Sequence, residues 1–158
     1  MAKRRRINYD KLFRYDVSIN DWSVNVSFND YTILNMTDGD PFEERISIDM
    51  DGRVISTSSK KCKQDMAARI TIEPGDFWYR NDRTKDDNTI GYLKIEKKDS
   101  EIFYEDTLYF WISLPTKSYE NMKDYLTYKG SAQVGLIGTE LFRRKGEIYY
   151  LGFGKLSS

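Results

Sequence analysis

The chain contains no histidine, one cysteine and three prolines in 158 residues. Each scarcity excludes something. Without histidine there is no Ser-His-Asp or Cys-His catalysis, no HExxH zinc site and no imidazole pH switch. With one cysteine there is no internal disulfide and no multi-cysteine zinc site. Three prolines argue against a long flexible linker. No apolar run approaches the length of a membrane-spanning helix. The opening MAKRRRINYD has a basic stretch with no apolar segment after it. That pattern predicts no secretory signal, and the single cysteine then suits a reducing, cytoplasmic setting. The Asn25 and Asn35 N-x-S/T triplets carry no glycosylation meaning there.

Glycine-loop chemistry is also missing. Gly152-Phe153-Gly154-Lys155 has Tyr149 where a P-loop needs its first glycine and Leu156 where Ser or Thr would bind magnesium. As an RNP1 fragment it has Leu151 in place of the basic residue. Gly135-Leu136-Ile137-Gly138 carries apolar inner residues and reads as a strand entering a turn rather than a backbone clamp.

What the chain has is charge and aromatic rings. Charged residues make up 32% and aromatic residues 15%, so it is too aromatic for a disordered chain. Its formal net charge is zero, with 25 residues of each sign, but the signs are segregated. Residues 1–14 carry Lys3, Arg4, Arg5, Arg6, Lys11 and Arg14 against Asp10 alone. Residues 15–50 carry Asp16, Asp21, Asp30, Asp38, Asp40, Glu43, Glu44 and Asp49 against Arg45 alone. The remainder is nearly balanced. This organisation predicts a basic arm over 1–11 and one domain over 12–158.

Period-two alternation dominates, the mark of half-buried strands. Phe13, Tyr15, Val17 and Ile19 alternate, then Asn20-Asp21, then Trp22, Val24, Val26 and Phe28. This predicts a hairpin turning at Asn20-Asp21. A further strand is predicted at 31–36, and a second hairpin at Asp51-Gly52 between strands 44–50 and 53–57. Residues 58–65 read as a loop or one helical turn, and 67–73 as a strand ended by Pro74-Gly75. Residues 81–88 are polar throughout and read as a loop. Strands follow at 89–97 and 101–114. The run 108–114 (LYFWISL) is apolar on both faces, which predicts a central strand buried on both sides. Tyr119, Met122, Tyr125 and Leu126 share one helical face, so 117–129 reads as a helix ended by Gly130. Short strands at 132–137, 140–143 and 147–153, the last two joined by Arg144-Lys145-Gly146, close the chain. About ten strands and one helix predict a mainly β fold, a single antiparallel β-sandwich, with the jelly roll as one form of it.

Four features could carry chemistry. Lys3, Arg4, Arg5 and Arg6, with Arg143, Arg144 and Lys145, could contact phosphates. Cys62 stands among Lys60, Lys61 and Lys63, which favours a thiolate, but no histidine supplies a base, so an exposed, non-catalytic thiol is expected. The acids Asp38, Asp40, Glu43, Glu44, Asp49 and Asp51 could hold a hard cation, but the EF-hand pattern fails, with Ser47 and Ser58 at its first and last ligand positions. No metal and no cofactor are therefore expected. A carboxylate pair for hydrolysis needs a separation that no spacing along β-strands certifies.

The aromatics are Trp22, Phe77, Trp78, Tyr79, Tyr92, Tyr104, Tyr109, Trp111, Tyr149 and Tyr150, besides those assigned to the core pattern. Most are expected to pack in the core or across strands. Phe77, Trp78, Tyr79, Tyr149 and Tyr150 are expected on a binding surface, because large rings with polar tips are enriched at interfaces. The leading expectation is a non-enzymatic module that binds a protein partner through aromatic and acidic surface. Two alternatives stand beside it. One is a nucleic-acid-associated or capsid-like β protein using the basic arm, and the other is a carboxylate-dependent hydrolase.

Overall fold

The structure is a computed structural model that describes residues 11–30, 42–75, 89–98, 105–129 and 133–154. Among the described residues there are seven strands and one helix: β1 (Phe13–Asp30), β2 (Phe42–Thr57), β3 (Ala67–Pro74), β4 (Gly91–Glu96), β5 (Thr107–Leu114), α1 (Thr116–Lys129), β6 (Gln133–Gly138) and β7 (Lys145–Gly154). They close in the order β1-β2-β3-β5-β4-β7-β6. Every junction is antiparallel except β3 with β5, which is parallel. The fold is thus mainly β as expected, but it is a closed barrel and not a sandwich. No helix among the described residues is long and apolar enough to cross a membrane.

The barrel closes because its first two strands are long and bend. Both expected hairpin turns lie inside strands instead. β1 runs through Asn20-Asp21, and β2 runs through Asp51-Gly52. Ile19 pairs with Gly52 and Asp21 with Asp51, so Asn20 is an extra residue with no opposite number. Such a bulge sharpens the local twist and bends the strand. It also switches which parity faces inward. Tyr15 and Val17 are buried before it, and Trp22 packs against the core after it. A Cβ at Gly52 would lie 1.8 Å from the Ser18 carbonyl oxygen, so only glycine lets the two backbones meet there. Residues Ser23–Asp30 of β1 pair with β2 alone, beyond the pairing with β6, which covers Phe13–Ser18.

The core is the inward row of every strand. Tyr15, Val17, Ile48, Val54, Ile70, Ile72, Leu93, Leu108, Phe110, Ile112, Val134, Leu136 and Ile148 have no exposed surface. Each such side chain stabilises by roughly 1.5–3 kcal/mol relative to exposure. Tyr15 meets Phe110 edge-on, with centroids 5.9 Å apart and planes at 71°. α1 lies where its spacing predicts and turns Tyr119, Met122 and Leu126 onto this core. Tyr125, expected on the same face, is 43% exposed and lies near the Phe153 ring at 6.4 Å.

Two further expectations change. Residues 140–143 form no strand but lead into a tight turn closed by a bridge between Phe142 and Lys145. The outer side of β5 is only partly buried, since Thr107 and Ser113 are covered there but Trp111 faces outward and is 37% exposed. The arm 1–10, the expected strand 31–36, Phe77-Trp78-Tyr79, the loop 81–88 and Gly130 lie outside the described residues.

The close approach at Gly52 sets an expected outcome. Gly52→Ala should cost at least about 3 kcal/mol or prevent folding, since backbone and not side chain must yield. Gly154→Ala, with nothing within 4 Å of its added Cβ, should stay within about 0.5 kcal/mol of the native chain. Urea denaturation of the two variants measures the contrast.

Candidate functional site: an aromatic and cationic face on β4, β5 and β7

Strand register fixes two outward rows across the barrel wall. The first reads Glu147 on β7, Tyr92 on β4, Trp111 on β5, Thr71 on β3 and Asp49 on β2. The second reads Lys145, Lys94, Tyr109, Arg69 and Asp51 on the same strands. Tyr92 and Trp111 are therefore direct cross-strand neighbours, 41% and 37% exposed. Lys94 and Lys145 are a direct cross-strand pair beside them. A cleft of about 530 Å³ is lined by Tyr92, Leu93, Lys94, Tyr109, Trp111, Lys145 and Gly146. A second hollow of about 450 Å³ shares Tyr92, Lys145 and Gly146 and adds Phe142, Arg143 and Glu147.

Hydrogen bonds hold this face rigid. The Tyr109 hydroxyl donates to Thr71 Oγ1 at 3.0 Å, and Thr71 Oγ1 donates to Asp49 Oδ1 at 2.7 Å. Asn25 Nδ2 donates to the other oxygen of Asp49. The relay ties β5, β3, β2 and β1 together and orients the Tyr109 ring. The Lys94 ammonium sits 5.8 Å from that ring's centroid and 2.5 Å from Glu96 Oε1. Arg69 Nε stands 3.3 Å from Asp51 Oδ1. Over β7, β4 and β5 the face thus sets Lys94, Lys145, Glu96 and Glu147 around the rings, and over β2 it carries Asp49 and Asp51.

The turn into β7 borders this face. Arg143 and Arg144 both have positive φ, 51° and 68°. Phe142 and Lys145 exchange both backbone hydrogen bonds across them, at 2.7 and 3.1 Å. This is the two-residue hairpin geometry that favours Asn-Gly, because left-handed backbone costs an L-residue roughly 1–2 kcal/mol. The Arg143 guanidinium lies 5.4 Å from the Phe142 ring centroid. The expected basic cluster Arg143-Arg144-Lys145 is therefore assembled and exposed. The Tyr149 hydroxyl donates to Glu147 Oε2 at 2.6 Å. Tyr150, 53% exposed, points outward opposite Ile137, and its ring fills the space above Gly152.

Sequence reasoning expected Tyr92, Tyr109 and Trp111 in the core or in cross-strand pairs and did not place them on a binding surface; Tyr92 and Trp111 are a cross-strand pair. The available signal was their parity. Leu108, Phe110 and Ile112 already supply the inward row of β5, so Tyr109 and Trp111 are rings on the outer one.

A second cleft, of about 570 Å³, gathers Arg53, Lys61, Lys63, Lys97 and Lys98 with Asp65, Glu105 and Asp106. Its charges mostly answer one another. Arg53 pairs with Glu105, and Lys97 Nζ lies 3.3 Å from Asp106 Oδ2. The Lys98 amide donates to Asp106 at 2.8 Å, and that bond, with Lys97, holds the Asp106 carboxyl below the usual range. Lys61 Nζ donates to the Leu141 carbonyl at 2.6 Å. No group of three Cys, Asp or Glu side chains among the described residues could hold a metal ion.

Cys62 is not the exposed thiol expected. It is buried at 8% exposure, because its lysine neighbours point away while the thiol joins the core. Burial, with a smaller push from Glu140, raises its pKa from 9.0 to about 11, against a lowering by Ser59. That burial disfavours the thiolate at neutral pH. Burial likewise raises Tyr15, whose hydroxyl donates to the Thr139 carbonyl at 2.9 Å. It also raises Tyr119, whose buried hydroxyl has no hydrogen-bond partner among the described residues.

Because the unfolded thiol deprotonates near 9.0 and the folded one near 11, the unfolded chain releases its proton first. Stability contributed by the neutral thiol is full below pH 9 and falls as pH rises towards 11, by roughly 2–3 kcal/mol. Denaturation curves across that window should show the fall, and Cys62→Ala should remove the part that begins near pH 9. At pH 8 a thiol reagent should modify Cys62 only on unfolding.

Comparisons of the chain with protein-family models, with curated proteins and with solved structures gave no match in any of the three.

Proposed function

We propose that this protein is a non-enzymatic binding module whose ligand is single-stranded nucleic acid, taken up on the outer face of β4, β5 and β7. One observation carries the reading: the register that sets exposed Tyr92 against exposed Trp111 also sets Lys94 against Lys145 one step along. Rings that stack on bases, beside cations that meet phosphates, are the two parts of a sequence-tolerant single-strand platform. Each stacked base is worth about 1–3 kcal/mol there. A duplex keeps its base faces inside its own stack and offers such rings nothing. This reading moves the nucleic-acid contact from the basic arm to the barrel wall and keeps Arg143, Arg144 and Lys145 beside it.

A protein partner is the second reading. Val24 and Val26, 43% and 49% exposed on the part of β1 paired with β2 alone, favour it, as apolar surface away from these cations.

The test uses a labelled mixed-sequence oligonucleotide of about 12 nucleotides, within the site sizes of such platforms. Wild-type protein should bind it, with tryptophan quenching, and affinity should fall steeply between about 50 and 200 mM salt. Trp111→Ala and Tyr92→Ala should each weaken binding about tenfold or more with circular dichroism unchanged. A wild-type chain that ignores the oligonucleotide at low salt, or Ala variants that bind as well, would sink the reading.

A further inference from the structure

A two-residue turn with positive φ at both central positions is built at least strain from Asn-Gly or Asp-Gly. This chain builds it from two arginines, Arg143 at 51° and Arg144 at 68°. The fold does not ask for them. The turn closes through backbone bonds between Phe142 and Lys145, and the Ile95 amide donates to the Arg144 carbonyl at 2.9 Å. Neither guanidinium makes an ion pair among the described residues. Strained backbone persists where its surroundings over-determine it, and it concentrates at functional positions. Here the β4 amide supplies the restraint, and two exposed cations are what the strain retains.

We infer that the Arg143-Arg144 turn is a phosphate clamp, which grips the backbone of a single strand as it leaves the aromatic face. The inference rests on the platform reading and adds to it the point of exit. The hollow of about 450 Å³ between Tyr92, Phe142, Arg143, Lys145 and Glu147, whose carboxylate accepts from Tyr149, adjoins the platform cleft through Tyr92 and Lys145. A strand stacked at Tyr92 that runs on into the hollow would bring a phosphate to Arg143. Arg143 is steadied over the Phe142 ring, so its guanidinium is pre-positioned and little side-chain freedom is lost on binding.

The double substitution Arg143→Asn with Arg144→Gly tests this in the full chain. Relief of the turn should raise the thermal midpoint by about 3–6 °C. Oligonucleotide affinity at low salt should fall about tenfold, uniformly across sequences. Loss of two phosphate contacts should flatten the log–log salt slope by about 1.4. Arg143→Lys with Arg144→Lys, which keeps charge and turn, should retain most of the affinity. A turn variant with unchanged affinity and slope, while Trp111→Ala still weakens binding, overturns the clamp and leaves the platform standing. A lowered midpoint overturns the claim that the fold does not need the arginines. A wild-type chain that binds no oligonucleotide overturns both readings together.

Discussion

A ring of seven strands cannot alternate direction all the way round. Closure of an odd number demands a parallel junction, and here it falls between β3 and β5. Parallel neighbours cannot be joined by a tight turn, so the chain must leave β3 and return. It returns by way of β4, which sits on the far side of β5 and pairs onward with β7. That detour places Tyr92 next to Trp111 and Lys94 between Tyr109 and Lys145. The same junction puts Thr71 beside Trp111, where it bridges Tyr109 to Asp49. The composition of the candidate site is thus a consequence of how an odd barrel closes.

Individual strands were largely legible in the sequence, and their connection was not. Alternation located β3, β4 and the inward row of β5 closely, and helical spacing located α1. Alternation also registered the phase change at Asn20-Asp21 but could not say what caused it. A two-residue turn and a one-residue bulge both move the apolar positions from odd to even. Asp51-Gly52 posed the same ambiguity, because glycine serves a turn through its free φ and a bulge through its missing Cβ. The distinction is tertiary. Gly52 is needed because the Ser18 carbonyl lies where a side chain would be, and Ser18 is on another strand. Reading both signals as turns shortened two long bent strands into four straight ones. Straight strands stack as a sandwich, and bent ones close as a barrel.

The site was partly legible in the same way. The basic triplet Arg143-Arg144-Lys145 could be read as a charged turn, and it is one, shifted by a residue. Its left-handed backbone could not be read, since arginine is a poor choice for it. Trp111 was hidden inside LYFWISL, where a continuous apolar run looks like double burial. A barrel wall has only one inner side, so once the fold is closed, rings on the outer row need another explanation than the core. Cys62 misled in the opposite direction: flanking lysines suggested an activated thiol, but charge near a residue in sequence does not decide where its own side chain points.

The neutrality of the chain resolves into a division of labour on one wall. The acids of the β2 side are engaged by the fold: Asp49 accepts from Thr71 and Asn25, and Asp51 faces Arg69. On the β7 side the balance runs the other way. Lys94 has Glu96, but Arg143, Arg144 and Lys145 make no ion pair among the described residues. Charges that the structure satisfies internally add little to what a ligand feels, and those left over set the sign of what approaches. A chain with no net charge therefore leaves Arg143, Arg144 and Lys145 without an answering acid among the described residues, beside the rings of β4 and β5. The proposed strand platform asks only for stacking and charge, which Tyr92, Trp111, Arg143, Arg144 and Lys145 can supply without proton transfer.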